Sequence, residues 1–458
     1  MIPLQIHLKD PLEGLTSGQR DAFAKVKSGL NVFVTGPGGC GKSYLINEIK
    51  KDFERNGKCV AVTALTGKAA VLIGGRTIHS WASIGIGNKT VDEYYRMIRR
   101  NITLLKQWFE TDLLIIDEVS MMSAELWNKL VHLARLVTKF GGKFGKLQLM
   151  LSGDFCQLPP VGDDRFCFQS SLFDEVIDEI VSMDEMVRQT DEDFISMLSE
   201  VRLGRCPEWV EERLMSRLIT EEKYAELMGS TGDLSIKPTV LYPLKRDVAA
   251  ENENELLKLN EHIFEYECID KAYPMVGTGK DRKRSFMEQR ISGRDVDVVN
   301  KMFDSRNVPI KLQLALGAQV MYTKNVRDTS IVNGSKGVVI EFDEKNYPIV
   351  KFDEESGGVE MTVVSEVFET ETGRMMYTRT QLPLILCWAL TCHKAQGCTL
   401  TKMITDLGSS FCSGQVYTTI SRVKTLDGLF LLGFDPSKIR CDPDVVQWYI
   451  DLAHEKTP

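Results

Sequence analysis

Eight residues, Gly36-Pro37-Gly38-Gly39-Cys40-Gly41-Lys42-Ser43, combine closely spaced glycines with an ammonium and a hydroxyl. They match G-x-x-x-x-G-K-[ST], a pattern that cradles phosphates. The glycines let backbone N–H groups of Gly36, Gly38, Gly39, Cys40 and Gly41 curl around phosphate oxygens. A helix beginning at Lys42 adds the positive end of its dipole. Lys42 is placed to reach β and γ phosphates, and Ser43 to bring its hydroxyl to Mg²⁺. Further on, Leu113-Leu114-Ile115-Ile116 runs into Asp117-Glu118. Asp117 suits a Mg²⁺ ion held through water, and Glu118 suits polarising an attacking water. Two acids rather than a lone Asp favour hydrolysis over a small-molecule kinase. Gln157 lies in Leu151-Ser152-Gly153-Asp154-Phe155-Cys156-Gln157-Leu158-Pro159-Pro160, on a turn stiffened by two prolines, where its amide could sense a γ-phosphate.

These residues need elements to hold them. Leu30–Thr35, Lys58–Ala64, Asp112–Asp117 and Leu147–Ser152 read as strands, with helices over Lys42–Arg55 and Ala124–Thr138. Such alternation predicts a parallel α/β sheet. Ser182–Met228 reads as helical and acidic. From Leu312 to Leu386 the pattern changes to short β-rich runs, with turns at Asn333-Gly334 and Gly357-Gly358. Two more α/β signals follow, Leu384–Ala389 and Leu429–Phe434.

The 458 residues predict about three domains. At 43% hydrophobic and 26% charged, the composition is that of a globular protein and excludes wholesale disorder. The most apolar run, Leu382–Cys392, is too short to span a membrane. Met1–Leu15 lacks the pattern of a signal peptide or presequence. Eleven scattered cysteines without C-x-x-C predict reduced thiols in an intracellular compartment, with bacterial cytoplasm, nucleus and infected cell all open. Cys387, Cys392, His393 and Cys398 lack a usual zinc spacing. Net charge is −8, yet residues 36–109 hold twelve basic and five acidic groups. A basic region on an acidic body suits a local track for an anionic polymer, although the Lys50–Arg55 cluster reads equally well as a solvated helix face.

Taken together, these motifs resemble those of superfamily 1 helicases. Their wording resembles the Pif-type (petite integration frequency) family of superfamily 1B, related to the RecD and phage Dda helicases. The resemblance covers most of the chain, from near residue 1 to shortly after its last motif, the outline expected of a minimal motor. Leu15-Thr16-Ser17-Gly18-Gln19-Arg20 resembles the adenine-reading Q motif. Thr63–Ala70 and Gly75–Ser80 resemble motif Ia and its continuation. Val187-Arg188-Gln189 lies in the family-specific segment. Leu316–Met321 and Val332–Gly337 resemble the entry to its inserted domain. Thr391–Gly397 resembles motif V, and Gln415–Arg422 motif VI.

The resemblance implies two RecA-like lobes, 1A over residues 1–165 and 2A over 166–311 and 386–458. It also implies an SH3-like 2B domain over 312–385 and a wedge, 1B, within about 84–108. ATP and Mg²⁺ are the implied cofactors. The implied activity is ATP-dependent unwinding of forked or tailed duplex DNA by a monomeric motor moving 5′-to-3′ on single-stranded DNA. Gln19 would read adenine, and Gln396 and Gly397 would join the nucleotide site. Arg188 and Arg422 would supply charge from the far side of the cleft. Thr66, Gly67, His79, Ser80, His393 and Lys394 would hold the strand. Trp81 with Ile84–Ile86 reads either as a stacking surface or as plain core, and Trp388 as core. Two alternatives stay open, a nucleotide-switched single-strand clamp and an RNA-directed motor. No membrane partner is expected, and protein partners are not legible.

Overall fold

Val32–Thr35 (β1) shows no polar alternation because both of its faces are covered. The computed structural model describes residues 14–455 except 86, 163–164, 230–235, 277–282, 294, 305, 325, 327–328, 354–355, 373–374 and 396–397. It also leaves out the side chains of Lys68, Val71, Glu371, Thr372, His393, Lys394 and Glu455. The described chain divides into two units, one ending at Arg188 and the other running from Gln189. The short segment Cys156–Leu158 belongs with the second unit.

In the first unit β1 is joined by Val60–Ala64 (β2), Arg76–Thr77 (β3), Leu113–Asp117 (β4), Gln148–Gly153 (β5) and Glu179–Ser182 (β6). All pairings are parallel, in the order β3-β2-β4-β5-β1-β6. The helices are Ser17–Lys27 (α1), Lys42–Arg55 (α2), Gly67–Leu72 (α3), Ile78–Ala82 (α4), Val91–Arg100 (α5), Ile102–Glu110 (α6) and Ala124–Thr138 (α7). Leu45, Ile46 and Ile49 recur at helical spacing on α2 and pack with Val32, Val34, Ile115 and Met150. Because β4, β5 and β1 are neighbours, the chain leaves the sheet at Asp117, Gly153 and Thr35 side by side. Carboxyl ends of parallel strands are where open α/β sheets bind ligands. The unit extends past residue 165, the lobe boundary expected from the sequence. β6 pairs with β1 from Val32↔Glu179 to Thr35↔Ser182. Its four residues, Glu-Ile-Val-Ser, are too few and too mixed to announce a sheet edge.

In the second unit, helices Glu192–Arg202, Glu208–Met215 and Glu221–Met228 lead to Thr239–Tyr242 (β7). A β-rich region follows: Phe264–Glu267 (β8), Ile269–Val276 (β9), Lys283–Arg284 (β10), Lys311–Leu314 (β11), Gln319–Tyr322 (β12), Lys336–Phe342 (β13), Pro348–Phe352 (β14), Glu360–Thr362 (β15), Glu366–Thr372 (β16), Met375–Gln381 (β17) and Leu384–Leu386 (β18). The chain then returns with Ala389–Thr391 (β19), Met403–Asp406 (β20) and Leu429–Gly433 (β21). β19-β7-β20-β21 form a second parallel sheet. Antiparallel sheets of five, four and two strands, β15-β14-β13-β12-β18, β10-β9-β17-β16 and β11-β8, accompany it among the described residues. The mixed α/β class expected from the sequence is therefore present. The β-rich region begins near Phe264, earlier than the expected 312, because β9 pairs along β17 from Ile269↔Thr380 to Pro274↔Met375. The apolar signal at Leu384–Ala389 divides: β18 pairs antiparallel with β12, whereas β19 joins β7.

Arg379, 1% exposed, ties this region together. Its Nε and one Nη donate to the two Asp270 oxygens at 2.8 and 2.6 Å, and its other Nη donates to Val308 O at 3.1 Å. Removing one partner of such a pair strands the other, so Arg379→Ala should destabilise the protein by about 3 kcal/mol. Urea unfolding checks this, and an unchanged midpoint would make the pair dispensable.

Candidate functional site

The loop from β1 to α2 is built by close approach. A Cβ on Gly36 would lie 2.3 Å from Met183 O, and one on Gly41, at φ +85°, 2.5 Å from Gln19 Nε2. Only glycine fits both positions. Gly41 also caps α2 without a side chain, so the amides of the first helical turn remain for an anion. The Lys42 ammonium folds over its own loop, donating to Gly36 O at 2.7 Å and Pro37 O at 2.9 Å. Ser43, next in α2, is exposed.

Gln19 is 2% exposed. Its Oε1 accepts the Thr16 N–H at 2.9 Å, completing a capping box on α1, and its Nε2 donates to Gly41 O at 3.3 Å. The amide therefore braces the loop. Arg188, expected across the cleft, sits instead in the first unit. Its backbone N–H donates to Gly39 O at 3.2 Å, beside that of Val187 at 3.1 Å. The strand before it pairs with β1, so the segment lies beside the loop rather than opposite it.

Asp117, 5% exposed, ends β4. Burial pushes its carboxyl above the ordinary range, an effect partly offset by the Ser152 hydroxyl, the Glu118 N–H and the Lys42 charge. A divalent cation would offset the remainder. The Asp117 carboxylate and the Ser43 hydroxyl are hard oxygen donors of the kind Mg²⁺ takes. Glu118 follows at φ 57°, ψ 42°. A left-handed non-glycine residue costs on the order of 1–3 kcal/mol, and such outliers cluster at functional sites. No sequence signal announces this turn.

In the second unit Gln157 and Arg422 are 4% and 3% exposed. An Arg422 Nη donates to Gln157 Oε1 at 3.4 Å, and its Nε donates to Thr418 O at 2.9 Å. Gln189, a buried amide that the sequence shows only as the neighbour of Arg188, donates to Ser421 O at 3.2 Å and Val423 O at 3.0 Å. It thereby fixes the turn that carries Arg422.

Among the expected strand contacts, Thr66 Oγ1 accepts from Ala69 N at 3.2 Å and opens α3 at Gly67. Ser80 N donates to Thr77 Oγ1 at 3.2 Å, opening α4. Burial pushes the His79 imidazole below its usual pKa, disfavouring its charged form. It lines a cavity of about 310 Å³ with Leu65, Met121, Leu126 and Val161. Gln396, Gly397 and the side chains of His393 and Lys394 lie outside the described residues. Trp81 is core, 1% exposed, its ring 4.5 Å from that of Trp108. It offers no face to a base, because α6 folds back over it. Ile84 is likewise buried, Ile86 lies outside the described residues, and Trp388 is core as expected. No helix among the described residues is long and apolar enough to cross a membrane.

Residues 14–212 match the family model described as PIF1-like helicase. The ATP-dependent DNA helicase PIF1 of Homo sapiens is 35% identical over 97% of this chain, which spans 64% of that protein's length. The crystal structure of Pif1 helicase from Candida albicans is 33% identical, with a TM-score of 0.75, covering 96% of this chain and 99% of that one. Bacteroides sp. Pif1, solved in complex with ADP-AlF4, is 26% identical, also with a TM-score of 0.75, covering 96% and 98%. With the phosphate loop, the acid pair and the buried Gln157–Arg422 contact in a fold of two parallel sheets, the chain belongs to the PIF1-like helicase family.

Proposed function

We propose that this chain hydrolyses ATP to move 5′-to-3′ along single-stranded DNA as a monomeric motor, separating forked or tailed duplex as it advances. The first unit serves as lobe 1A, with the α5–α6 hairpin as wedge 1B. The second serves as lobe 2A, with the β-rich region as 2B. The observation that carries this reading is that the phosphate loop after β1 and Asp117-Glu118 after β4 leave the same end of one parallel sheet, on strands that both flank β5, with a buried arginine, Arg422, bonded to Gln157 in the other unit. The relatives' name, ATP-dependent DNA helicase, supports its ATP and DNA parts.

The loop amides from Gly36 to Gly41 bind the phosphates, and Lys42 turns from its loop carbonyls to the β and γ oxygens. Gln19 holds adenine, with Gln396 and Gly397 bordering the nucleotide. Ser43 and Asp117 hold Mg²⁺, which when bound neutralises phosphate charge. Glu118 orients and polarises the attacking water. Gln157 detects the γ-phosphate, and Arg188 and Arg422 stabilise charge as the phosphoryl group departs. Supplying Arg422 from the second lobe links hydrolysis to lobe closure, and closure to stepping. Thr66, Gly67, His79, Ser80, His393 and Lys394 grip phosphates without reading bases.

Steady-state ATP hydrolysis with and without oligo-dT tests the reading. Strong stimulation is expected, followed by unwinding of 5′-tailed but not 3′-tailed duplex. Binding without stimulation would instead identify a clamp, and stimulation by RNA alone an RNA motor. Lys42→Ala should cut turnover by about 10²–10³-fold. Near wild-type hydrolysis would place the phosphates elsewhere.

A further inference from the structure

The backbone of Arg422 is held from two directions. The turn after the helix Gln415–Ile420 presents successive carbonyls at Ser421, Arg422 and Val423, and each has a donor. Gln189 Nε2 donates to Ser421 O at 3.2 Å and to Val423 O at 3.0 Å, so one amide takes both carbonyls that flank the arginine. Leu400 N donates to the carbonyl between them, Arg422 O, at 2.8 Å, and Leu400 O accepts the Lys424 N–H at 3.1 Å.

Stability alone does not account for a glutamine at position 189. The side chain is 1% exposed, and its Oε1 has no hydrogen-bond partner among the described residues. Each bond that Nε2 makes adds modestly to stability, whereas a buried acceptor without a donor costs at least as much as one such bond returns. Gain and cost largely offset. The distinct contribution of the amide is geometric, because two N–H groups at a fixed angle, each aimed at a carbonyl, set where the turn stands.

The chain just before Gln189 holds the nucleotide loop. Val187 N and Arg188 N both donate to Gly39 O, at 3.1 and 3.2 Å. One peptide bond therefore joins a residue that grips the phosphate loop to the residue that grips the Arg422 turn. We propose that Gln189 is a positioning residue for Arg422. It passes displacement of the phosphate loop to the arginine, and so links occupancy of the loop to delivery of charge, while its own amide stays on backbone carbonyls. The inference rests on the reading of Arg422 as the residue that stabilises the departing phosphoryl group.

The test is a double-mutant cycle on single-turnover ATP hydrolysis, using the full chain with Gln189→Met, with Arg422→Lys and with both. Methionine keeps the length of glutamine and removes its N–H donors. Single-turnover rate constants count only molecules that have bound ATP, so a partly unfolded variant does not distort them. Gln189→Met should slow hydrolysis about 10²-fold, the cost of a misplacement of about 1 Å at a reacting centre. In the Arg422→Lys background the same change should cost less than about twofold, because no guanidinium is left to misplace. Gln189→Asn keeps the amide on a stem one methylene shorter. It should behave as Gln189→Met does in both backgrounds, and it decides the matter if the methionine variant does not fold. Equal losses in the two backgrounds would make Gln189 a structural residue and overturn the proposal, as would wild-type rates in Gln189→Met. Wild-type rates in Arg422→Lys would overturn the reading of Arg422 and this proposal together. The cycle is run on ATP alone and again with oligo-dT. No response to oligo-dT would sink the motor reading, and the cycle on ATP alone would still decide this one.

Discussion

Arg422→Ala should lower ATP turnover by about 10³–10⁵-fold, the range attributed to an arginine that stabilises charge in phosphoryl transfer. The side chain is 3% exposed and bonded to Thr418 O and Gln157 Oε1. Its removal leaves buried acceptors without a donor, at a cost of about 1–3 kcal/mol. A folding defect must therefore be separated from a chemical one. Arg422→Lys keeps the charge but lacks the planar fork that engages two acceptors at once. It should fold like the wild type by thermal melting, bind ATP, and still hydrolyse it far more slowly. A melted alanine variant beside an active lysine variant would make Arg422 a structural residue. Two folded, slow variants would support its role at the phosphates.

Glu118→Gln should bind ATP normally and lose about 10²–10⁴-fold in turnover, the contribution of a positioned general base. The substitution keeps shape and left-handed backbone while removing the charge. A companion variant uses the strain itself. At φ 57° glycine carries no Cβ penalty, so Glu118→Gly should melt no lower than the wild type while losing turnover as fully. Single-turnover hydrolysis with a separate nucleotide-binding measurement resolves both variants. Wild-type turnover in Glu118→Gln would move the base to another residue.

The phosphate loop and the acid pair were legible because their chemistry needs contiguous residues. Eight positions must curl around one ligand, and two carboxylates must leave one strand end. The strands β1, β2, β4 and β5 were legible for a related reason, since burial on both faces makes each a short apolar run. Trp81 was not decidable. A tryptophan beside isoleucines reads alike as a base platform or as core, and only Trp108, arriving from the end of α6, covers it. Arg188 was placed across the cleft because nothing in Glu179–Ser182 reveals that it pairs with β1 and draws the next residues to Gly39. The extent of the β-rich region was likewise hidden, because β9 and β17 are about a hundred residues apart in sequence and meet only by long-range pairing.

The sequence by itself determined the α/β class and the family, and it displayed the phosphate-loop motif, because local spacing and apolar period encode all three. Tertiary structure alone decided which unit carries Arg188, that Glu118 stands in a strained turn, and that Gln157 meets Arg422 across 265 positions. Those outcomes follow from strand order and from burial by distant elements, and no local pattern of residues encodes either.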